Sequence, residues 1–173
     1  MSFKRIEIVH WKPKHTQHPV LPATFGVTNY DRKTGKYYLF IDIDKHFPLD
    51  FILKILHKEK LNIAMIHRTK KGYHIFTNYK GNMHKIRHKL AKLKKYGIVD
   101  RHFISLVSNN VKRFERREYI MLMRCGPKYV DPEGKRIIKD IKIIYVDPRY
   151  MDEYLREIFE FTCFINHVFR DRL

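Results

Sequence analysis

The chain has 173 residues with 44% hydrophobic content, enough for one compact domain, 1–173, with a real core, and too apolar for default disorder. Thirty-six Lys and Arg stand against 18 Asp and Glu, a formal charge of +18, which points to polyanionic partners, nucleic acid first. No apolar run reaches the roughly 18 residues of a membrane span, and two cysteines, Cys125 and Cys163, exclude a four-cysteine zinc ribbon and argue against a disulfide scaffold.

The opening Met1-Ser-Phe-Lys-Arg5 leads into charge and proline and carries no signal-peptide core. The expectation is a cytosolic protein with both cysteines reduced and buried. The single Gln, few cysteines and abundant Lys, Ile and Tyr are compatible with a thermophilic source.

In chain order, a short strand is expected over Phe3–Val9, then an irregular stretch, Trp11–Pro22, rich in Pro and His. Thr24–Tyr30 and Lys36–Asp42 flank Asp31-Arg-Lys-Thr-Gly35, whose Asp and Gly suit a hairpin turn. Phe51, Ile52, Ile55 and Leu56 recur at helical spacing over Leu49–Lys58, with Pro48 at its start. Leu61–His67 reads as a buried strand, Thr69–Gly72 as a turn and Tyr73–Tyr79 as a second strand. Asn82 caps a helix through Tyr96, with Met83, Ile86, Leu90 and Leu93 inward and Gly97 as its stop.

Beyond Asp100 come Phe103–Val107 and a basic polar loop, Ser108–Arg117. Strands are expected over Tyr119–Arg124 and Ile137–Val146, and Asp147-Pro148 caps a closing helix from Arg149 to about Phe169. The whole reads as an α+β fold: a mixed, largely antiparallel sheet with helices packed on one face.

Two stretches carry candidate chemistry. In Tyr38-Leu-Phe-Ile-Asp-Ile-Asp44, strand geometry puts Asp42 and Asp44 on one face, after Phe40. Two adjacent carboxylates repel unless a cation lies between them, and hard oxygen ligands favour Mg²⁺ or Mn²⁺. The competing reading ends the strand at Ile41 and leaves both aspartates in a solvated turn. In Thr69-Lys-Lys-Gly-Tyr-His74, a hydroxyl, two lysines, a glycine and an imidazole supply an inventory for holding a triphosphate. The alternative is an ordinary hairpin turn with a surface His.

Together these stretches resemble the archaeo-eukaryotic primases, the primase-polymerase superfamily. Tyr38–Asp44 is similar to that family's hhhDhD motif, and Thr69–His74 to its second motif, a hydroxylic residue followed by Gly and a strand-initial His. Gly97-Ile-Val-Asp100 resembles the third motif, an apolar residue before an acid, in character and chain order. Tyr119–Arg124 with Lys128 resembles the basic strand that follows. The resemblance covers about Thr24 to Tyr129 and implies a catalytic core related to the RNA-recognition (RRM-like) fold, with an N-terminal extension.

It further implies a template-directed nucleotidyltransferase, a minimal DNA or RNA primase-polymerase acting on single-stranded DNA template and nucleoside triphosphates. Asp42, Asp44 and Asp100 would be the catalytic ligands of two Mg²⁺ or Mn²⁺ ions. Thr69, Lys71, Gly72 and His74, with Arg124 and Lys128, would contact the nucleotide. Lys85, Lys89 and Lys92 on the acid-free helix after Asn82, and Arg113 and Arg116 in the following basic segment, are candidate nucleic-acid contacts.

No zinc is expected, because the family's zinc element has no counterpart here. An accessory replication subunit is a possible partner. The alternative function is a non-catalytic nucleic-acid-binding subunit or replication factor on the same fold.

Overall fold

The computed structural model describes residues 7–10, 23–115, 123–125, 128–130, 137–139 and 141–170. The architecture is α+β. Five antiparallel strands form the main sheet in the order β10-β5-β6-β4-β3: β3 (Tyr30–Asp31), β4 (Lys36–Ile43), β5 (Ile63–Arg68), β6 (Tyr73–Gly81) and β10 (Lys142–Val146). A smaller sheet, ordered β1-β2-β7, joins Glu7–His10, Ala23–Val27 and Met123–Arg124. Lys128–Val130 (β8) and Ile137–Lys139 (β9) form a separate antiparallel pair.

The helices are α1 (Leu49–Lys58), α2 (Met83–Lys95), α3 (Arg101–Glu115) and α4 (Glu153–Arg170). None of the described helices is long and apolar enough to cross a membrane.

The turn chemistry acts as its residues dictate. Gly35, at φ 68°, closes the β3–β4 hairpin by donating its N–H to Asp31 O at 2.8 Å. Asn82 Oδ1 accepts the Lys85 N–H at 3.0 Å as the cap of α2, and Gly97 turns the chain out of it at φ 77°. Ile52, Ile55 and Leu56 of α1 and Ile86, Leu90 and Leu93 of α2 are buried. Lys89 Nζ donates to Glu59 O at 3.1 Å and Tyr96 Oη to Glu59 Oε1 at 3.0 Å, so α2 lies alongside the end of α1.

The main sheet is covered on both faces. Five consecutive residues, Tyr37 to Ile41, are each at most 8% exposed, and neighbours in a strand point to opposite faces. Tyr154 of α4 lies against Tyr38 and Phe40, with ring centroids 5.6 and 6.4 Å away.

The N-terminal end of α4 is held to the sheet by a charged cluster. Lys80 Nζ lies 3.2 Å from both Asp31 Oδ2 and Asp152 Oδ2, and 4.5 Å from the Tyr38 ring centroid. The Tyr38 hydroxyl donates to Asp152. Burial alone would raise the two carboxyl pKa values. Hydrogen bonds from Thr34 and Lys80 to Asp31, and from Leu155 N–H, Tyr38 and Lys80 to Asp152, hold both below the ordinary value instead. Burial, reinforced by Asp152, pushes the Tyr38 hydroxyl up. The Lys80 ammonium is also raised: burial opposes its charge, but Tyr38 and Asp31 outweigh that.

Several expectations need correction. Arg101–Glu115 is one helix, with no loop beginning at Ser108: Phe103 and Val107 are buried four residues apart, and Asp100 supplies a cap. The run Ile137–Val146 divides into β9, paired with β8, and β10, paired with β5. Asp147 caps a 3₁₀ turn, Pro148–Tyr150, and Asp152 starts the closing helix by accepting the Leu155 N–H at 2.9 Å. Cys125 is buried, but Cys163 is exposed.

Candidate functional site

The apolar run of β4 carries Asp42 to the end of the sheet on the face of Phe40, with its side chain 29% exposed. The strand continues through Ile43, so Asp42 is a strand residue, while Asp44 is exposed just past the strand end. The strand therefore runs past Ile41, where the turn reading ended it, but stops short of Asp44.

Antiparallel pairing sets Asp42 directly opposite His74, and His74 opposite His67 on β5. His74 Nε2 lies 3.4 Å from Asp42 Oδ1. His74 is only 7% exposed, so its ring lies within the packed face, neither the surface His of the ordinary-turn reading nor a ring open to a phosphate. His67 is fully buried, with its Nε2 3.2 Å from Met65 Sδ and its ring 4.8 Å from that of Phe76. Sequence reasoning gave His67 no role. The signal was present: a histidine closes the apolar run Ile63-Ala-Met-Ile66, on the register row of His74 and Asp42.

The Thr69–Gly72 turn closes at the same end of the sheet. Thr69 N donates to Gly72 O at 2.9 Å, and Gly72 N donates to Thr69 Oγ1 at 3.1 Å. Lys70 and Lys71 are exposed at its tip. A Cβ on Gly72 would stand 1.9 Å from Ile43 O and 2.9 Å from Lys45 O. Glycine is therefore what lets the turn pack directly beneath the Asp42–Asp44 segment. Tyr73 Oη donates to Phe47 O at 2.9 Å and ties the loop after Asp44 to β6.

The structure does not gather the three expected metal ligands. Asp100 is exposed and caps α3, its Oδ1 accepting the Phe103 N–H at 2.7 Å. Among the described residues, no group of three or more His, Cys, Asp or Glu is arranged to hold a metal ion. Asp42 and His74 are brought together, with Thr69, Lys71 and Gly72 in the adjoining turn.

Arg124 lies on β7 with its backbone paired to Gly26, and Lys128 on β8 paired to Lys139. Their side chains, and that of Arg113 on α3, lie outside the described residues, as does Arg116 entirely. Lys85 and Lys92 are exposed on α2. Lys89 is half-buried and committed to Glu59 O and to the Tyr79 ring, 5.4 Å from its centroid, so it is a packing residue here.

No protein-family model, curated protein or solved structure matches the chain.

Proposed function

We propose that the protein is a template-directed nucleotidyltransferase of primase-polymerase type, joining nucleoside triphosphates on single-stranded DNA. One observation carries the reading: two motifs about thirty residues apart in sequence meet at one end of the sheet, with Asp42 in register with His74 and the Gly72 turn against Ile43. The same end of the sheet thus carries an acid, an imidazole, a hydroxyl and two exposed lysines, an inventory suited to holding a triphosphate. The order β4-α1-β5-β6-α2, with β6 between parallel β4 and β5, supports an RRM-like core.

Mg²⁺ or Mn²⁺ would supply charge neutralisation at the phosphates. Asp42 and Asp44 are the residues to hold it. Mg²⁺ is commonly bound through one or two carboxylates plus substrate phosphates, so a third protein ligand need not be preassembled. Asp100, as the cap of α3, enters such a site only if its side chain exchanges that hydrogen bond for the metal. Lys70 and Lys71 would meet the outer phosphates. His74, buried beside Asp42, would position that carboxylate; contact with a phosphate would need its ring to turn out of the packed face.

The alternative, a non-catalytic nucleic-acid-binding subunit, is favoured by the dispersed position of Asp100. Incubation with Mn²⁺ or Mg²⁺, nucleoside triphosphates and a primed or unprimed single-stranded template separates the two. Incorporation that disappears in Asp42→Asn supports catalysis; absence of incorporation with either metal assigns the chain to binding.

A further inference from the structure

From Lys60 to Val99 the chain has no Asp or Glu but eleven Lys and Arg, and α2 lies within that stretch. At 100° per residue, the crest of α2 opposite its buried Ile86, Leu90 and Leu93 is His84, His88, Ala91 and Lys95. Lys85 and Lys92 form a row on one flank, and Arg87 and Lys94 on the other, all four exposed. Arg87 Nε donates to Ser108 Oγ of α3 at 3.0 Å. On the opposite flank, Lys92 approaches Glu59 at 4.0 Å, the one ion pair made by this helix among the described residues.

Like charges three and four residues apart destabilise a helix. A helix needing only solubility would intersperse acids, and this one has none. The exposed side chains of α2 include no Phe, Tyr or Trp, the large aromatic platforms on which single strands chiefly stack; its only exposed rings are the imidazoles of His84 and His88. Two cation rows flank a polar crest of His84, His88, Ala91 and Lys95, an arrangement that matches two phosphate backbones bordering a groove with donors directed between them. The major groove of B-form DNA admits a helix, while that of A-form RNA is too deep and narrow to be read.

We propose that α2 is a docking surface for double-stranded DNA, seated over the major groove with Lys85/Lys92 and Arg87/Lys94 on opposite phosphate backbones. This surface is distinct from the single-strand template reading of the same helix and does not depend on catalysis.

The test is fluorescence anisotropy of the full chain with a 20-base-pair DNA duplex, its single strand and the equivalent RNA duplex, across a salt series without metal or nucleotide. The DNA duplex should bind at least about tenfold tighter than either competitor. Lys85→Gln/Lys92→Gln and Arg87→Gln/Lys94→Gln should each lower the slope of log affinity against log salt by about 2, from roughly 0.9 per phosphate contact. Circular dichroism checks that these surface variants fold. Equal or tighter binding of single strand or RNA, displacement by poly-glutamate as effective as by DNA, or unchanged slopes in both variants would overturn the proposal.

Discussion

Gly72 and Asp100 show how one residue can answer to two demands. A Cβ at Gly72 would overlap the Ile43 carbonyl, so Gly72→Ala must displace the turn from the end of β4. We expect a loss of about 3 kcal/mol, at the upper end of overpacking effects, measured by urea unfolding. That a glycine was needed there was legible in the sequence; the contact with Ile43, twenty-nine residues earlier, was not, because no local pattern encodes it.

Asp100 was legible as an acid after an apolar pair, but that same placement makes a good helix cap. Asp100→Ala should cost about 1 kcal/mol through the lost cap, while Asp100→Ser should keep most of the stability. Chemical denaturation of the two variants distinguishes a capping residue from a neutral surface acid.

Helices α1 and α2 were readable because apolar periodicity agrees with Pro48 or Asn82 at the N-cap and, for α2, with Gly97 as its stop; α1 turns out through Lys60 at φ 55° instead. The start of α3 was hidden because its polar second half, from Ser108, outweighed the Phe103/Val107 spacing. The coverage of both sheet faces was written in the unbroken Tyr37–Ile41 run, which alternation alone would not require.

The least legible element-scale feature is the clamp of Lys80, Asp31, Asp152 and Tyr38, assembled from four separate segments. Lys80→Met leaves two acids without their cation and should cost about 2 kcal/mol at pH 7. The depressed folded pKa values of Asp31 and Asp152 contribute stability fully above the unfolded value of about 3.9, and lose it as pH falls through the folded values. The deficit of Lys80→Met should therefore shrink below about pH 4. The raised Lys80 and Tyr38 pKa values act oppositely: their contribution is complete below about pH 10 and falls as pH rises through the folded values. Thermal melts of both proteins across the pH range check both arms.

At the scale of the molecule, a charge of +18 is compatible with any polyanion partner. What narrows the choice is where the fold puts unlike chemistries. The sheet end holds Asp42, His74 and the Gly72 turn, whereas α2 presents cations without acids. The proposed activity is nucleotide transfer at the sheet end. Its most direct measurement is incorporation of labelled nucleotide on a single-stranded template with Mn²⁺, comparing wild type, Asp42→Asn and Asp100→Ser at matched folded fraction. Wild type should give product and Asp42→Asn should lose at least about a hundredfold, the scale of removing one electrostatic contact to a reacting group. If Asp100→Ser retains product, Asp100 is a helix cap alone; if it loses product as Asp42→Asn does, Asp100 joins the site. Equal incorporation by wild type and Asp42→Asn, or none by wild type with either metal, would mean that the sheet end does not transfer nucleotides.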